Sequence, residues 1–217
     1  MKQIGICTIG AISLLLSACD WIGIRGNGHI VTNQRAITEF SEIAASGGLT
    51  IEWHRGPPVL SITTDENLLQ HIDTQVSGKT LRLRTRTRDR LRPTRGIKIS
   101  VSSANLDGAE LSGAVDLIAK AVAGPKFYVQ TTGASDVTVD GNVEQLLADM
   151  TGASDLHAKG LQAKTVEIST TGAASAYVLA TDALKVSITG AGDVTYSGNP
   201  PTIEKHITGA GSIRHKE

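Results

Sequence analysis

The same short phrase returns six times along the C-terminal half of this chain. Aligned on its glycine, it reads "LSGAVDL" at Gly113, "TTGASDV" at Gly133, "MTGASDL" at Gly152, "TTGAASA" at Gly172, "ITGAGDV" at Gly190 and "ITGAGSI" at Gly209. The steps are 20, 19, 20, 18 and 19 residues. A fixed period near 20 marks a solenoid, because a unit so short cannot bury its apolar face alone and must stack on its neighbours. Helical repeats need units of about 33 residues or more with a continuous 3.6-residue periodicity, and neither is present.

The residues around each phrase specify the shape of the unit. Counting back one, three and five places from the Thr before the glycine gives Ile188, Val186 and Leu184 in one copy. Ile168 and Val166 hold the same places in another, and Phe127 and Val129 in a third. Alternation with β-branched residues reads as a strand with one buried face. The glycine then turns the chain, since it tolerates backbone conformations closed to other residues. The apolar residue after the aspartate position (Leu117, Val137, Leu156, Ala176, Val194, Ile213) begins a second inward column. The pattern predicts an all-β fold: a right-handed β-solenoid with coils of 19–20 residues stacked about 4.8 Å apart. One residue breaks the columns. Lys205 stands where Ile168 and Val186 point inward, so the last coil is expected to fray there or slip by one residue.

The N-terminus reads as an export signal. Lys2 precedes an uncharged apolar run, Ile4 to Leu16, too short to span a bilayer but suited to a signal-peptide core. The run ends in Leu16-Ser17-Ala18-Cys19, which resembles the bacterial lipobox, in which the cysteine is lipidated and becomes the first mature residue. Acylation at Cys19 would hold the protein on a membrane, each buried methylene adding about 0.8 kcal/mol. Asp20 resembles the signal that retains enteric lipoproteins in the inner membrane; inner and outer membrane both stay open. Cys7 lies in the discarded segment, so no disulfide is expected. The organisation expected is a lipoprotein signal peptide (1–18), an anchor linker (19–25), an N-terminal β section (26–105) and the repeat solenoid (106–217), the last two forming one domain.

Before about Asn105 the repeat is not visible. Strand-like runs remain at "LTIEW", "VLSITT", "KTLRLRTR" and "IKISVSS", and "DENLLQHI" reads as a short helix capped by Asp65. The phrases "GNGHIVTNQRAITEFSEIAASGGLTIEWHRG", "DENLLQHIDTQVSGKTLRLRT" and "IKISVSSANLDGAELSGAVDL", followed by the "TGASD" and "TGAGD" units, resemble the bacterial auto-transporter adhesin, head GIN domain family. The resemblance spans about residues 26–215. It implies a right-handed β-solenoid with a structural or adhesin-like role and brings no catalytic residues. The stretch "RTRTRDRLRPTRG" is richer in arginine than the family pattern.

Two groups of residues are candidates for function. Arg82, Arg84, Arg86, Arg88, Arg90 and Arg92 alternate, so an unbroken strand would put all six guanidiniums on one face. Such a face would be a binding strip for phosphate or carboxylate polymers, or else charged protection for an exposed edge. Asp116, Asp136, Asp155 and Asp193 would form a carboxylate ladder, interrupted by Ser175 and ended by Ser212. Carboxylates about 5 Å apart repel, so they either cap corner amides or hold a cation; capping is the simpler reading. The alternative function is a polysaccharide-cleaving β-helix enzyme using stacked aspartates. Against it stand acids that recur by repeat logic, few loops to build a cleft, and only seven aromatics to hold sugars. The six histidines show no metal-ligand spacing, and no cofactor motif appears. With a formal net charge of zero, nucleic acid is not an expected partner. The expected partners are the membrane, through Cys19, and an anionic envelope polymer or another envelope protein. Oligomeric state is left open. The reading is a non-catalytic, lipid-anchored, periplasm-facing envelope protein.

Overall fold

The computed structural model describes residues 23–86 and 90–216. The signal segment, Cys19 and Arg88 lie outside them. In chain order the elements are β1 (Ile24–Arg25), β2 (Ile30–Arg35), β3 (Glu42–Arg55), β4 (Val59–Asp65), a 3₁₀ helix (Glu66–His71), β5 (Ile72–Ser77), β6 (Thr80–Thr85), β7 (Leu91–Arg92) and β8 (Lys98–Ser103). The repeat region follows as β9 (Gly108–Gly133), β10 (Asp136–Gly152), β11 (Asp155–Gly172), β12 (Ser175–Gly190), β13 (Asp193–Ser197), β14 (Thr202–Gly209) and β15 (Ser212–His215).

The repeat folds as a β-solenoid, its six glycine corners delimiting about five turns. Each long strand bends around the coil, and each lap pairs in parallel with the next. The wall leading into the corner and the wall leaving it keep strict register: Gly133, Gly152, Gly172, Gly190 and Gly209 follow one another, as do Asp116, Asp136, Asp155, Ser175, Asp193 and Ser212. Register shifts fall between Val139 and Gly141 and between Ala158 and Gln162, where the third, short wall begins. The uneven step of 18 to 20 residues is therefore absorbed at one side, leaving the other two walls aligned. Inside, Phe127, Leu146, Val166 and Leu184 form one buried column, and Leu117, Val137, Leu156, Ala176 and Val194 another.

The stack does not follow the order of the sequence. β3 pairs with β9 through Ser46–Ser112, Gly47–Gly113 and Leu49–Val115, so "SGGLTI" is one more copy of the corner phrase. On the other side of β3 lie β6 and β8, both parallel to it. Beyond them the pairing turns antiparallel, β5 on β6, β4 on β8 and β2 on β4. Reversal of direction closes this end, since an antiparallel strand does not continue the coil.

Asp65 secures the closed end, although not as the sequence suggests. It stands at the N-cap of the 3₁₀ helix but makes no side-chain cap bond. Its buried carboxylate instead accepts hydrogen bonds from the Gly28 amide (2.7 Å), the Thr94 amide (2.8 Å) and the Thr94 hydroxyl (2.7 Å). Burial pushes this carboxyl up, but these donors outweigh it and hold it below its usual value of 3.8. A group so depressed stabilises the fold above the unfolded-state pKa, and that contribution is lost as pH falls through the folded-state value. Asp65→Asn should therefore flatten the loss of thermal stability below about pH 4. Parallel pH profiles for parent and variant in a melting series would refute this role.

The opposite end neither frays nor slips. β14 stays in register with β12 over its whole length, Lys205 opposite Val186. Lys205 is accommodated because no further lap covers it among the described residues. Its ammonium lies over the Tyr196 ring, 5.3 Å from the centroid, and His215 stacks on the same ring at 4.9 Å. The cation thus sits on an aromatic face at the mouth of the coil instead of inside an aliphatic column.

Candidate functional site

The arginine strip does not remain one strand. β6 ends at Thr85, after Arg82 and Arg84, which are exposed between buried Leu81 and Leu83. Arg84 and Arg86 both lie near Asp73, at 3.6 and 3.4 Å. Arg92 belongs to a different sheet, in β7, and Arg90 directly precedes that strand; their carbonyls accept hydrogen bonds from the Gly26 and Ile24 amides. The pull is local: Thr94 is bonded to Asp65, which draws this part of the chain onto the N-terminal segment. Alternation in the sequence outruns the strand that was to display it.

Arg82 and Arg84 instead border an open groove of about 390 Å³ on the outer wall. Ala44 pairs with Arg82 on one side and Glu110 on the other; Ser46 lies between Arg84 and Ser112. A row of short side chains between long ones makes the trough. Gln130 and Thr132 extend it, and Gln130 also lines a second depression of about 460 Å³ with Lys126, Tyr128, Leu147, Asp149 and Ser169. The two adjoin at Gln130. The lining carries the cations Arg82, Arg84 and Lys126 and the carboxylates Glu110, Asp149 and Glu167; positive charge is in excess at the Arg82–Arg84 end, which suits a negatively charged group there.

The side of this wall is held rigid by a cluster around Glu42. Lys79 Nζ stands 2.9 Å from its carboxylate and the Thr80 hydroxyl donates to it at 2.9 Å. Tyr128 also bonds Glu42, reaching over the intervening lap at Gly108, where any Cβ would overlap the tyrosine ring. Burial pushes the Glu42 carboxyl up, but the bonds from Lys79, Thr80 and Tyr128 prevail and leave it lowered. Burial, with the neighbouring Glu42 carboxylate, pushes the Tyr128 phenol well up. Three laps are thereby tied beside the groove.

Asp116, Asp136, Asp155 and Asp193 do align on the second wall, all exposed. Corner amides are satisfied by carbonyls of the preceding lap, as in Asp155 N–H to Ser135 and Asp193 N–H to Ala174. Two of the carboxylates turn to side chains one lap on: Asp136 to His157 Nε2 at 3.6 Å, Asp193 to the Ser212 hydroxyl and, at 4.0 Å, to Arg214. Beside them His157 stacks on Tyr177, ring centroids 5.3 Å apart, with the Lys159 ammonium 5.0 Å from the tyrosine ring. Twenty residues separate His157 from Tyr177, one lap, so the pairing is legible once the coil is aligned. Among the described residues no group of three His, Cys, Asp or Glu could hold a metal ion.

The sequence matches the family described as "Putative auto-transporter adhesin, head GIN domain" over residues 39–200. The chain belongs to this family. Among solved structures, a "putative adhesin" of Bacteroides fragilis is similar with a TM-score of 0.74 at 22% identity, covering 89% of this chain and 100% of that one. A "putative lipid binding protein" of Parabacteroides distasonis gives 0.56 at 25% identity, covering 89% and 99%. A "putative adhesin" of Parabacteroides merdae gives 0.56 at 20% identity, covering 90% and 100%. No protein with a curated description matches significantly. Head GIN domain membership agrees with the resemblance seen in the ordered N-terminal phrases and the repeats, and the similar structures share the solenoid fold.

Proposed function

We propose that this head GIN domain chain is an exported envelope protein, anchored through lipid on Cys19, that binds an anionic polymer along its outer wall without turning it over. The observation that carries the reading is the groove beside Arg82 and Arg84, where two guanidiniums face one carboxylate, Glu110. Solenoid walls are suited to such ligands, because each lap adds the same spacing to a surface that bends little. Adhesin and lipid-binding names among the similar structures favour a binding role over catalysis. The aspartate ladder supports the same side, since its members are exposed to solvent and two of them are matched to neighbouring side chains. The likeness to export-side proteins and the Cys19 motif favour a place in the cell envelope.

One fractionation and binding experiment addresses both parts. Cys19→Ala should move the protein from the membrane to the soluble fraction; retention in the membrane would refute lipid anchoring. Arg82→Gln with Arg84→Gln should weaken binding to polygalacturonate, or to vesicles containing phosphatidylglycerol, by about tenfold, on the scale of one or two charge-assisted hydrogen bonds. The polymer arm separates a carboxylate chain from a lipid headgroup. Equal binding by parent and variant to both probes would leave the arginines as edge protection only.

A further inference from the structure

Among the described residues β14 is an outermost strand of the solenoid, and it offers a pattern that the groove does not use. β14 is exposed at every residue, and among the described residues it pairs only with β12, leaving its other edge open. Ile203 and Ile207, 40% and 42% exposed, are two of the large hydrophobic side chains left uncovered. An open edge with apolar side chains is a template for another strand.

The sequence of that edge is Thr202-Ile203-Glu204-Lys205-His206-Ile207-Thr208, which reads almost alike from either end about Lys205. We propose that β14 is a self-recognition edge, through which two copies of this chain pair antiparallel about a two-fold axis at Lys205. The pairing sets Thr202 opposite Thr208, Ile203 opposite Ile207 and Glu204 opposite His206 of the other copy. Each match falls on one face, because directly opposed residues in an antiparallel pair point the same way. Such an interface is isologous, so one self-complementary strand is enough to build it. The carboxylate–imidazole match and the isoleucine match select a second copy over an unrelated strand.

Lys205 meets itself on the axis. It is the one unfavourable pair, and each ammonium is drawn onto the Tyr196 ring of its own copy. It also fixes the register. A shift to the next allowed pairing, in either direction, would set Lys205 opposite Ile203 or Ile207 and leave the other isoleucine without its match.

Cysteine pairs read the register directly, since opposed residues have Cβ atoms about 4.5–5.5 Å apart, close enough for a disulfide with small adjustment. In membranes of cells making the full chain, Thr202→Cys combined with Thr208→Cys should give a linked dimer on a non-reducing gel after mild oxidation. Either substitution alone should stay at the level of the parent, which carries Cys7 and Cys19. In the double-cysteine chain, Glu204→Lys should remove most of the product, and adding His206→Glu should restore it. A double-cysteine chain that stays monomeric overturns the proposal and makes Lys205 an edge guard. Equal linkage by a single cysteine variant overturns it in favour of another register or partner.

Discussion

Gly133→Val should cost about 4 kcal/mol or more and shift the denaturant midpoint accordingly, a loss at the extreme of single substitutions. Gly133 has φ +120°, a conformation that a β-branched residue avoids. A Cβ there would stand 2.6 Å from the carbonyl oxygen of Gly113 one lap below. That same oxygen accepts the Ala134 amide at 2.9 Å, so a valine would push apart the hydrogen bond that joins the laps. Backbone strain of about 1–3 kcal/mol and overpacking of about 1–3 kcal/mol act together. Thr132→Val, at the exposed neighbouring position, should stay within about 0.5 kcal/mol. Equal midpoints for the two variants would mean that the corner is not built as described.

Phe127→Ala should cost about 3–5 kcal/mol, the range for removing a buried aromatic and leaving a cavity. Phe127 is fully buried and shares its inward column with Leu146, Val166 and Leu184, with Ile203 at the open end. The neighbouring laps cannot close over the void, because their spacing is set by backbone hydrogen bonds and not by side-chain volume. Phe127→Leu should cost less, as leucine keeps part of the volume. Ile203→Ala offers the contrast within one column: it is 40% exposed at the end of the stack and should cost about 1 kcal/mol in the monomer. Chemical denaturation of the three variants checks the order. An Ile203→Ala loss as large as that of Phe127→Ala would contradict the burial gradient along the column.

The corner phrase carried most of the fold in its spacing. Glycines at a near-constant step, with aliphatics at alternate places before them, leave a chain few ways to bury its apolar groups except lap upon lap. The same phrase at Gly47 falls outside the period, because 66 residues (113 − 47) separate it from Gly113, while the later corners are 18–20 apart. The chain leaves the stack after β3, builds the closed end, and returns. Local pattern cannot register such a detour. The arginines show the opposite case. Their alternation is real, but a strand persists only while it has a partner, and β6 loses β5 at Thr85.

By itself the sequence determined the coil, its inward columns, the six corners from Gly113 to Gly209 and the family, because these depend on neighbours one lap away and repeat. Only the tertiary structure decided which non-repeating segments flank β3, and hence that Arg82 and Arg84 stand beside Ala44, Ser46 and Glu110 to shape a groove. It also decided that Asp65 bonds Gly28 and Thr94 instead of capping its helix, and that Lys205 rests on the Tyr196 ring. The physical reason is common to all three. Each depends on contacts between residues whose separation follows no period, and those contacts are chosen by packing of the whole chain.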